Sequence, residues 1–381
     1  MRITHVTLRY PPASGGVEDY VHNLVERLRA EGDEVFVETT NLRTHHPATP
    51  LDPPPVDPPY VRRHPVRTLG PIAYPIPRGL SSHVSSLKPH IIHAHGFWYA
   101  PADIAARAAR WRGVPFVLNP YYAPRAKWYW NAYRATVGRA TLAAADAIVV
   151  ISPQEEAALR RDRFPLRRVE LIPPGIEPAE FTARRENPLS RRGLADKRVI
   201  LFAGRLAHAK GLDLVLRALP NIVREIPAAH LAIAGEDFGE QESLQRLAES
   251  LGVFRAVTWL GKLPREELLA AYQHASAFVF PSRYEAFGIS VLEAQAAGCP
   301  VVAANASALP FLVSDGDTGL LSRPEDPAHL AAAVLRLLND RPLVERLARN
   351  GRTRALRDFT WDRSIEKLRT LYTDLTRSRI P

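Results

Sequence analysis

Two carboxylates bracket a glycine in RYEAFGISVLEAQAAGCPVV, residues 283–302, where Glu285 and Glu293 stand eight positions apart around Phe287-Gly288-Ile289. FVFPS reads as a strand end, YEAFG as a turn, and SVLEAQAAG as a helix of strong formers stopped by Gly298. Gly288 lets backbone amides approach a ligand, and the helix N-terminus turns further N–H groups toward phosphate or hydroxyl oxygens. Glu293, one turn into the helix, is placed to accept hydrogen bonds from a pair of vicinal hydroxyls. Glu285, on the loop, points to the other side of the anion. A second stretch, FAGRLAHAKG (202–211), carries Arg205 and Lys210 off a strand end on a loop closed by Gly211. Two such cations suit a diphosphate. A diphosphate flanked by a ribose and a second sugar fits the whole layout. The plainer reading makes the cations solvated surface charges and the glutamates a loop cap and a first-turn acid.

In the N-terminal half, Gly15-Gly16 follow the first strand and open a helix, a place that favours an anion and equally suits a tight turn. There is no G-x-G-x-x-G and no G-x-x-x-x-G-K-[ST], which argues against dinucleotide oxidoreduction and ATP hydrolysis. The net charge is +10. Residues 1–172 hold 22 basic against 15 acidic side chains (+7), and 173–381 hold 28 against 25 (+3). A basic half suits nucleic acid, anionic lipid or a phosphorylated substrate. No zinc finger, RNP-like aromatic strand or lysine-rich tail points to nucleic acid. KWYWNAYR (127–134) mixes bases with aromatics, as a half-buried helix face or as a surface that meets membrane or acceptor. The single Cys299 forms no internal disulfide, the N-terminus lacks a signal-peptide block, and no apolar run crosses a bilayer. The expectation is a cytoplasmic protein, with peripheral contact on the inner membrane face open to its basic half.

The elements that must position these residues alternate as strand and helix, which predicts parallel sheets covered on both faces. ITHVTLRY, DEVFVETT, HIIHAHG, PFVLN and DAIVVIS read as strands of one half. RVILFAG, AHLAIAG, AVTWLG, AFVFPS and PVVAA are those of the other. The proline-thick 43–79 segment reads as a long loop around one short strand, YVRRHPV. The fold expected is α/β, with two Rossmann-like doubly wound domains facing a cleft. The N-terminal domain covers 1–172 and the C-terminal domain 173–359. Ligands in such sheets sit beyond the carboxyl ends of the strands.

With those residues in view, EAFGISVLE (285–293) resembles the E-x7-E element of the retaining glycosyltransferases of family four. GGVE (15–18), HAHG (93–96), ISPQE (151–155), GRLAHAKG (204–211), GEDFG (235–239), WLGKL (259–263) and DGDTGLL (315–321) follow in that family's order. The resemblance implies a GT-B fold, with 1–172 the acceptor-side domain, 173–359 the nucleotide-sugar-binding domain, and the final helix, about 360–381, returning to the first. By motif, Arg205 and Lys210 would neutralise the nucleotide diphosphate, Glu293 would hold the ribose, and Glu285 the donor sugar. The backbone of Phe287, Gly288 and Ile289 would bind sugar and phosphate, and Lys262-Leu263 the base edge. Gly16 would approach the phosphates, and His95 would sit near the transferred sugar and the acceptor. Pro174 stands where the family often has Asn before Gly, and Asn119-Pro120 where histidine is frequent. The implied reaction moves a sugar from a UDP- or GDP-linked donor to a hydroxyl acceptor (a sugar or lipid-linked glycan) with retention, in glycan, glycolipid or polysaccharide synthesis. No cofactor and no metal are expected; Asp315-Gly316-Asp317 reads as a polar turn. The rival readings are an epimerase or hydrolase of the same fold, and a non-catalytic nucleotide-sugar-binding protein.

Overall fold

The segments IIHAH, FVLN and AIVV are buried along their whole length, as strands with helices on both faces must be. The computed structural model describes all residues except 14, 46–47, 70–73, 125–127 and 379–381, and for 45, 68 and 69 the backbone alone. The chain divides into two compact units. One comprises Met1–Pro173 with the Trp361–Arg377 helix, and the other Pro174–Thr360.

The first unit is built on a seven-stranded parallel sheet. Its spatial order is Val169–Leu171, Ala147–Val150, Phe116–Asn119, Ile91–His95, Arg2–Thr7, Glu34–Thr40 and Val61–His64. The chain therefore starts in the middle, winds outward to one edge, then jumps back across the first strand. Arg2–Thr7 and Ile91–His95 flank that reversal, with Thr7 beside His95 in register. The second unit repeats the plan in six parallel strands, ordered Val257–Gly261, Ala229–Ala234, Arg198–Ala203, Ala277–Phe280, Val301–Ala304 and Leu320–Ser322. Here the reversal lies between Arg198–Ala203 and Ala277–Phe280. Reversal points leave a crevice at the strand C-termini, because the flanking crossover helices run to opposite faces.

The final helix joins the first unit through named contacts. Tyr372 is fully buried and its hydroxyl lies 2.6 Å from His93 Nδ1. Ser364 donates to the Pro173 carbonyl at 2.8 Å, and Arg27 stacks over Trp361.

The proline-rich segment is more ordered than a loop around one strand. Val61–His64 does form, and it extends the main sheet beside Glu34–Thr40. Two antiparallel ribbons accompany it, Leu42–His45 with Ala48–Pro50 and Val66–Leu69 with Tyr74–Pro77. Proline lacks only the N–H donor, so a two-stranded ribbon accepts it where a central strand would not. Of the segment's apolar residues, Tyr74 and Ile76 sit in the second ribbon, and Ile72 lies outside the described residues. Trp128–Ala135 is a helix with no fully buried residue, although Trp130 and Tyr133 pack on the core. Lys127 lies outside the described residues. Among those described, no helix is long and apolar enough to cross a membrane.

Candidate functional site

In the second unit the strand Arg198–Ala203 ends at Gly204, and the loop to the next helix carries Arg205 and Lys210. The loop is clamped from two sides. On one, Leu206 N donates to the Glu236 carbonyl at 2.9 Å and Phe238 N to the Leu206 carbonyl at 3.2 Å, joining it to the GEDFG turn. This contact is close: a Cβ on Gly235 would lie 1.8 Å from the Gly204 carbonyl oxygen. On the other side, Arg283 N and Ser282 Oγ both donate to the Ala209 carbonyl, at 2.8 and 2.9 Å. Gly211 (φ +72°) caps the following helix, and a Cβ there would lie 2.1 Å from the Pro281 carbonyl oxygen. Only glycine fits that left-handed, contact-distance position.

The clamp aims Lys210 at the loop after Ala277–Phe280. Its ammonium donates to Glu285 Oε2 at 2.5 Å, with both side chains mostly buried. Arg205 is exposed, rests over the Phe238 ring at 5.2 Å, and has no carboxylate partner among the described residues. One of the two predicted cations is thus neutralised in place and the other faces solvent.

Gly288 (φ +105°) opens the Ile289–Ala296 helix, and a Cβ there would press on Leu309 and Leu312 at 3.0 and 3.2 Å. The Phe287 side chain turns inward against Phe311 and Phe359, so its backbone alone remains for a ligand. Ile289 is 39% exposed. Glu293 is buried one turn into the helix. Its Oε1 accepts from Arg265, and Oε2 lies 3.5 Å from the Tyr272 hydroxyl. Arg265 also reaches Glu180 at 2.6 Å. Burial pushes the Glu293 carboxyl above its ordinary value, against the pull of the guanidinium. The guanidinium itself stays charged, so the pair titrates through the carboxyl. Sequence reasoning missed Arg265, although a cation in the first turn of the Arg265–His274 helix opposes the dipole and was a usable signal. Lys262 stands apart at the end of Val257–Gly261, 70% exposed and 3.7 Å from Glu236, and Leu263 follows half-buried. The acids of Asp315-Gly316-Asp317 serve a turn: Asp315 accepts from Leu321 N at 2.8 Å and Asp317 from Asn350 at 2.8 Å.

In the first unit, Gly15 caps the Gly16–Ala30 helix, and a Cβ on Gly16 would meet nothing within 4 Å. The buried Glu18 carboxylate in the first turn pairs with Arg9 at 2.6 Å. Arg9 thereby offsets an acid that would otherwise repel an anion at this helix end. His95 closes the Ile91–His95 strand. Its Nε2 lies 2.9 Å from His5 Nδ1 and its Nδ1 lies 3.0 Å from the Tyr121 hydroxyl. His93 sits beside it as a packing residue, donating from Nε2 to Asn119 Oδ1 at 2.7 Å and accepting from Tyr372. Asn119, one of the family departures, is thus an internal support, and its amide also donates to the Val149 carbonyl at 2.9 Å. Burial holds all three imidazoles neutral, with His93 down to about 3. Glu155 lies nearby, pushed up to about 7 by burial although Ile151 N and Tyr122 N donate to it.

The comparisons agree with this geometry. Residues 14–180 match the family model described as Glycosyltransferase Family 4, and 185–354 the one described as Glycosyl transferases group 1. The chain is 32% identical over 404 residues to D-inositol 3-phosphate glycosyltransferase of Acidothermus cellulolyticus, covering 96% of this chain and 87% of that one. It is 29% identical over 377 residues to the GDP-mannose-dependent alpha-(1-6)-phosphatidylinositol monomannoside mannosyltransferase of Mycolicibacterium smegmatis, covering 93% and 94%. Sucrose-phosphate synthase from Thermosynechococcus elongatus superposes with a TM-score of 0.79 at 26% identity, over 99% of this chain and all of that one. Two parallel α/β units in Rossmann order, with the motifs at their reversal points, place this chain in the family-four glycosyltransferases of GT-B fold.

Proposed function

We propose that the protein transfers a sugar from a UDP- or GDP-linked donor to a hydroxyl on a sugar or lipid-linked glycan, with retention of anomeric configuration. The observation that carries this reading is the pairing of Lys210 with Glu285 at the second unit's reversal point, with Arg205 uncompensated on the same loop. An anionic leaving group needs cations where its charge develops, and a carboxylate beside them suits the sugar hydroxyls. Glu293 takes the ribose hydroxyls, the Gly288–Ile289 backbone takes phosphate and sugar oxygens, and Lys262-Leu263 meets the base edge. As the bond from the anomeric carbon to the diphosphate breaks, negative charge grows on the phosphate oxygen facing Arg205 and Lys210. The acceptor hydroxyl bonds the oxocarbenium-like carbon on the face just vacated, and its proton leaves with the diphosphate. Gly16 and His95 are assigned to the phosphates and to the transferred sugar. No metal enters this scheme, because the two cations already answer the diphosphate charge.

The two named relatives of similar length support a soluble phospho- or lipid-linked acceptor, one being an inositol 3-phosphate and the other a phosphatidylinositol mannoside enzyme. The basic first half suits either, and a peripheral contact with an anionic membrane belongs to the second. The test begins with a thermal-shift screen of UDP- and GDP-sugars, since a ligand that binds the native state raises Tm. The stabilising donor is then incubated with candidate acceptors and the product anomer is read by NMR. An inverted linkage contradicts retention, and free sugar without acceptor product contradicts transfer and favours the hydrolase reading.

A further inference from the structure

Away from both reversal points, two histidines from the proline-rich region and its neighbour converge on one carboxylate. Glu38 lies in Glu34–Thr40, His64 ends the edge strand Val61–His64, and His83 sits in the short Leu80–Ser86 helix. Glu38 is 1% exposed and has no lysine or arginine ion-paired to it among the described residues. Its Oε2 lies 2.6 Å from His64 Nε2 and its Oε1 lies 2.8 Å from His83 Nδ1. All three ligand atoms fall within 4.8 Å of one another.

The other nitrogen of His64 decides what this arrangement is. His64 Nδ1 lies 2.9 Å from the Arg78 backbone carbonyl, which accepts only, so Nδ1 carries a hydrogen. In the neutral ring Nε2 is then a lone pair turned onto a buried carboxylate oxygen, two acceptors face to face. A proton must lie between them, held by the ring or by the carboxyl, or else a cation shared by both. A backbone carbonyl on the far nitrogen is also the arrangement that orients histidine for a metal.

We propose that Glu38, His64 and His83 bind a divalent ion of the zinc class. Two imidazole nitrogens and one carboxylate oxygen form the borderline donor set such ions take, with the fourth position left to water. His83 keeps 24% of its side chain exposed, which gives the ion an entry side and places the water there. Bonds of about 2.0–2.2 Å would spread ligand atoms to roughly 3.3 Å. Both separations, 2.6 and 2.8 Å, must open to that value on binding, so the Glu38 carboxylate or the His64 ring shifts as well as His83. The bound ion ties the edge strand, the Arg78 turn and the Leu80–Ser86 helix to the main sheet, and takes no part in the transfer reaction.

Co²⁺ and Zn²⁺ are the probes, added to the full chain after EDTA treatment and removal of the chelator. The expected result is about one equivalent of Co²⁺ with the visible absorption of tetrahedral coordination, displaced by Zn²⁺. Zn²⁺ also raises Tm. His83→Ala, on a surface helix, is expected to keep the fold and weaken binding more than tenfold, because lost supporting groups alone cost 10–100-fold at such sites. His83→Gln replaces it if the alanine variant does not fold, and His64→Gln gives the same loss from the other side. If Co²⁺ leaves the parent spectrum unchanged, or binds the His83 variant as tightly as the parent, the cluster is a protonated histidine–carboxylate ion pair and the proposal is wrong.

Discussion

Lys210 and Glu285 come from loops 75 residues apart in sequence and meet at 2.5 Å beside the second unit's strand reversal. On the proposed reading, the lysine would leave its carboxylate for the diphosphate and the carboxylate would turn to the sugar hydroxyls. Glu285→Gln keeps the shape and removes the charge. We expect it to bind nucleoside diphosphate at least as tightly as the parent, because Lys210 is no longer neutralised, while kcat falls roughly 10²–10³-fold. Equal kcat in the two proteins would remove Glu285 from the reaction.

Glu293→Ala is expected to weaken binding of UDP or GDP by about 1.5–3 kcal/mol, the worth of hydrogen bonds to a charged acceptor. The structure adds a complication, since Arg265 loses its partner in the same variant. Arg265→Gln therefore serves as a control that keeps the carboxylate. Calorimetry that finds the Glu293→Ala affinity unchanged removes Glu293 from the ribose role.

How far these residues were legible in the sequence depends on how local their reasons are. Parallel strands covered on both faces announce themselves as continuous apolar runs, and so the α/β class and the motif positions at strand ends could be read directly. Glu293 and its helix position follow from good helix formers after Gly288. Arg265 bridges Glu180 and Glu293, 85 and 28 residues away, so only its first-turn position was a local sign and its partners were not legible. The ribbons of the 43–79 segment were hidden for a different reason. Proline suppresses central strands and tolerates ribbons, and its density alone does not distinguish a ribbon from a loop.

The histidines of the first unit set a pH dependence of stability. His5, His93 and His95 have pKa values lowered by burial, His93 to about 3. A lowered folded pKa means the unfolded chain binds the protons, so this stability is present above about 6.5 and is lost as pH falls toward 3. Glu155 works the other way: raised to about 7, it favours the folded state below about 4.5 and loses that advantage as pH rises through 7. The raised carboxyls of Glu18, Asp103 and Glu293 act in the same sense as Glu155, so the pH profile sets the three imidazoles against these acids. Urea unfolding at pH 7, 6 and 5 measures it, and His93→Gln should flatten the slope. Equal pH slopes in the parent and His93→Gln contradict a neutral buried His93.

Chelation separates chemistry from structure. With EDTA we expect kcat per folded enzyme to stay unchanged, and Asp317→Ala to be near normal, since Asp317 holds Asn350 in a turn. An assay that dies with EDTA and recovers with Mn²⁺ would overturn the metal-free scheme together with the roles of Arg205 and Lys210.

The central claim is that the loop cations carry the departing diphosphate, and Arg205 tests it most directly because it is exposed and has no ion-pair partner to disturb among the described residues. The measurement is kcat for donor cleavage in the presence of acceptor, parent against Arg205→Ala, with Tm recorded on the same samples. The account predicts a kcat lower by roughly 10²–10³, the usual loss for one electrostatic donor, with Tm within a few degrees of the parent. A variant that turns over at nearly the parental rate would contradict it.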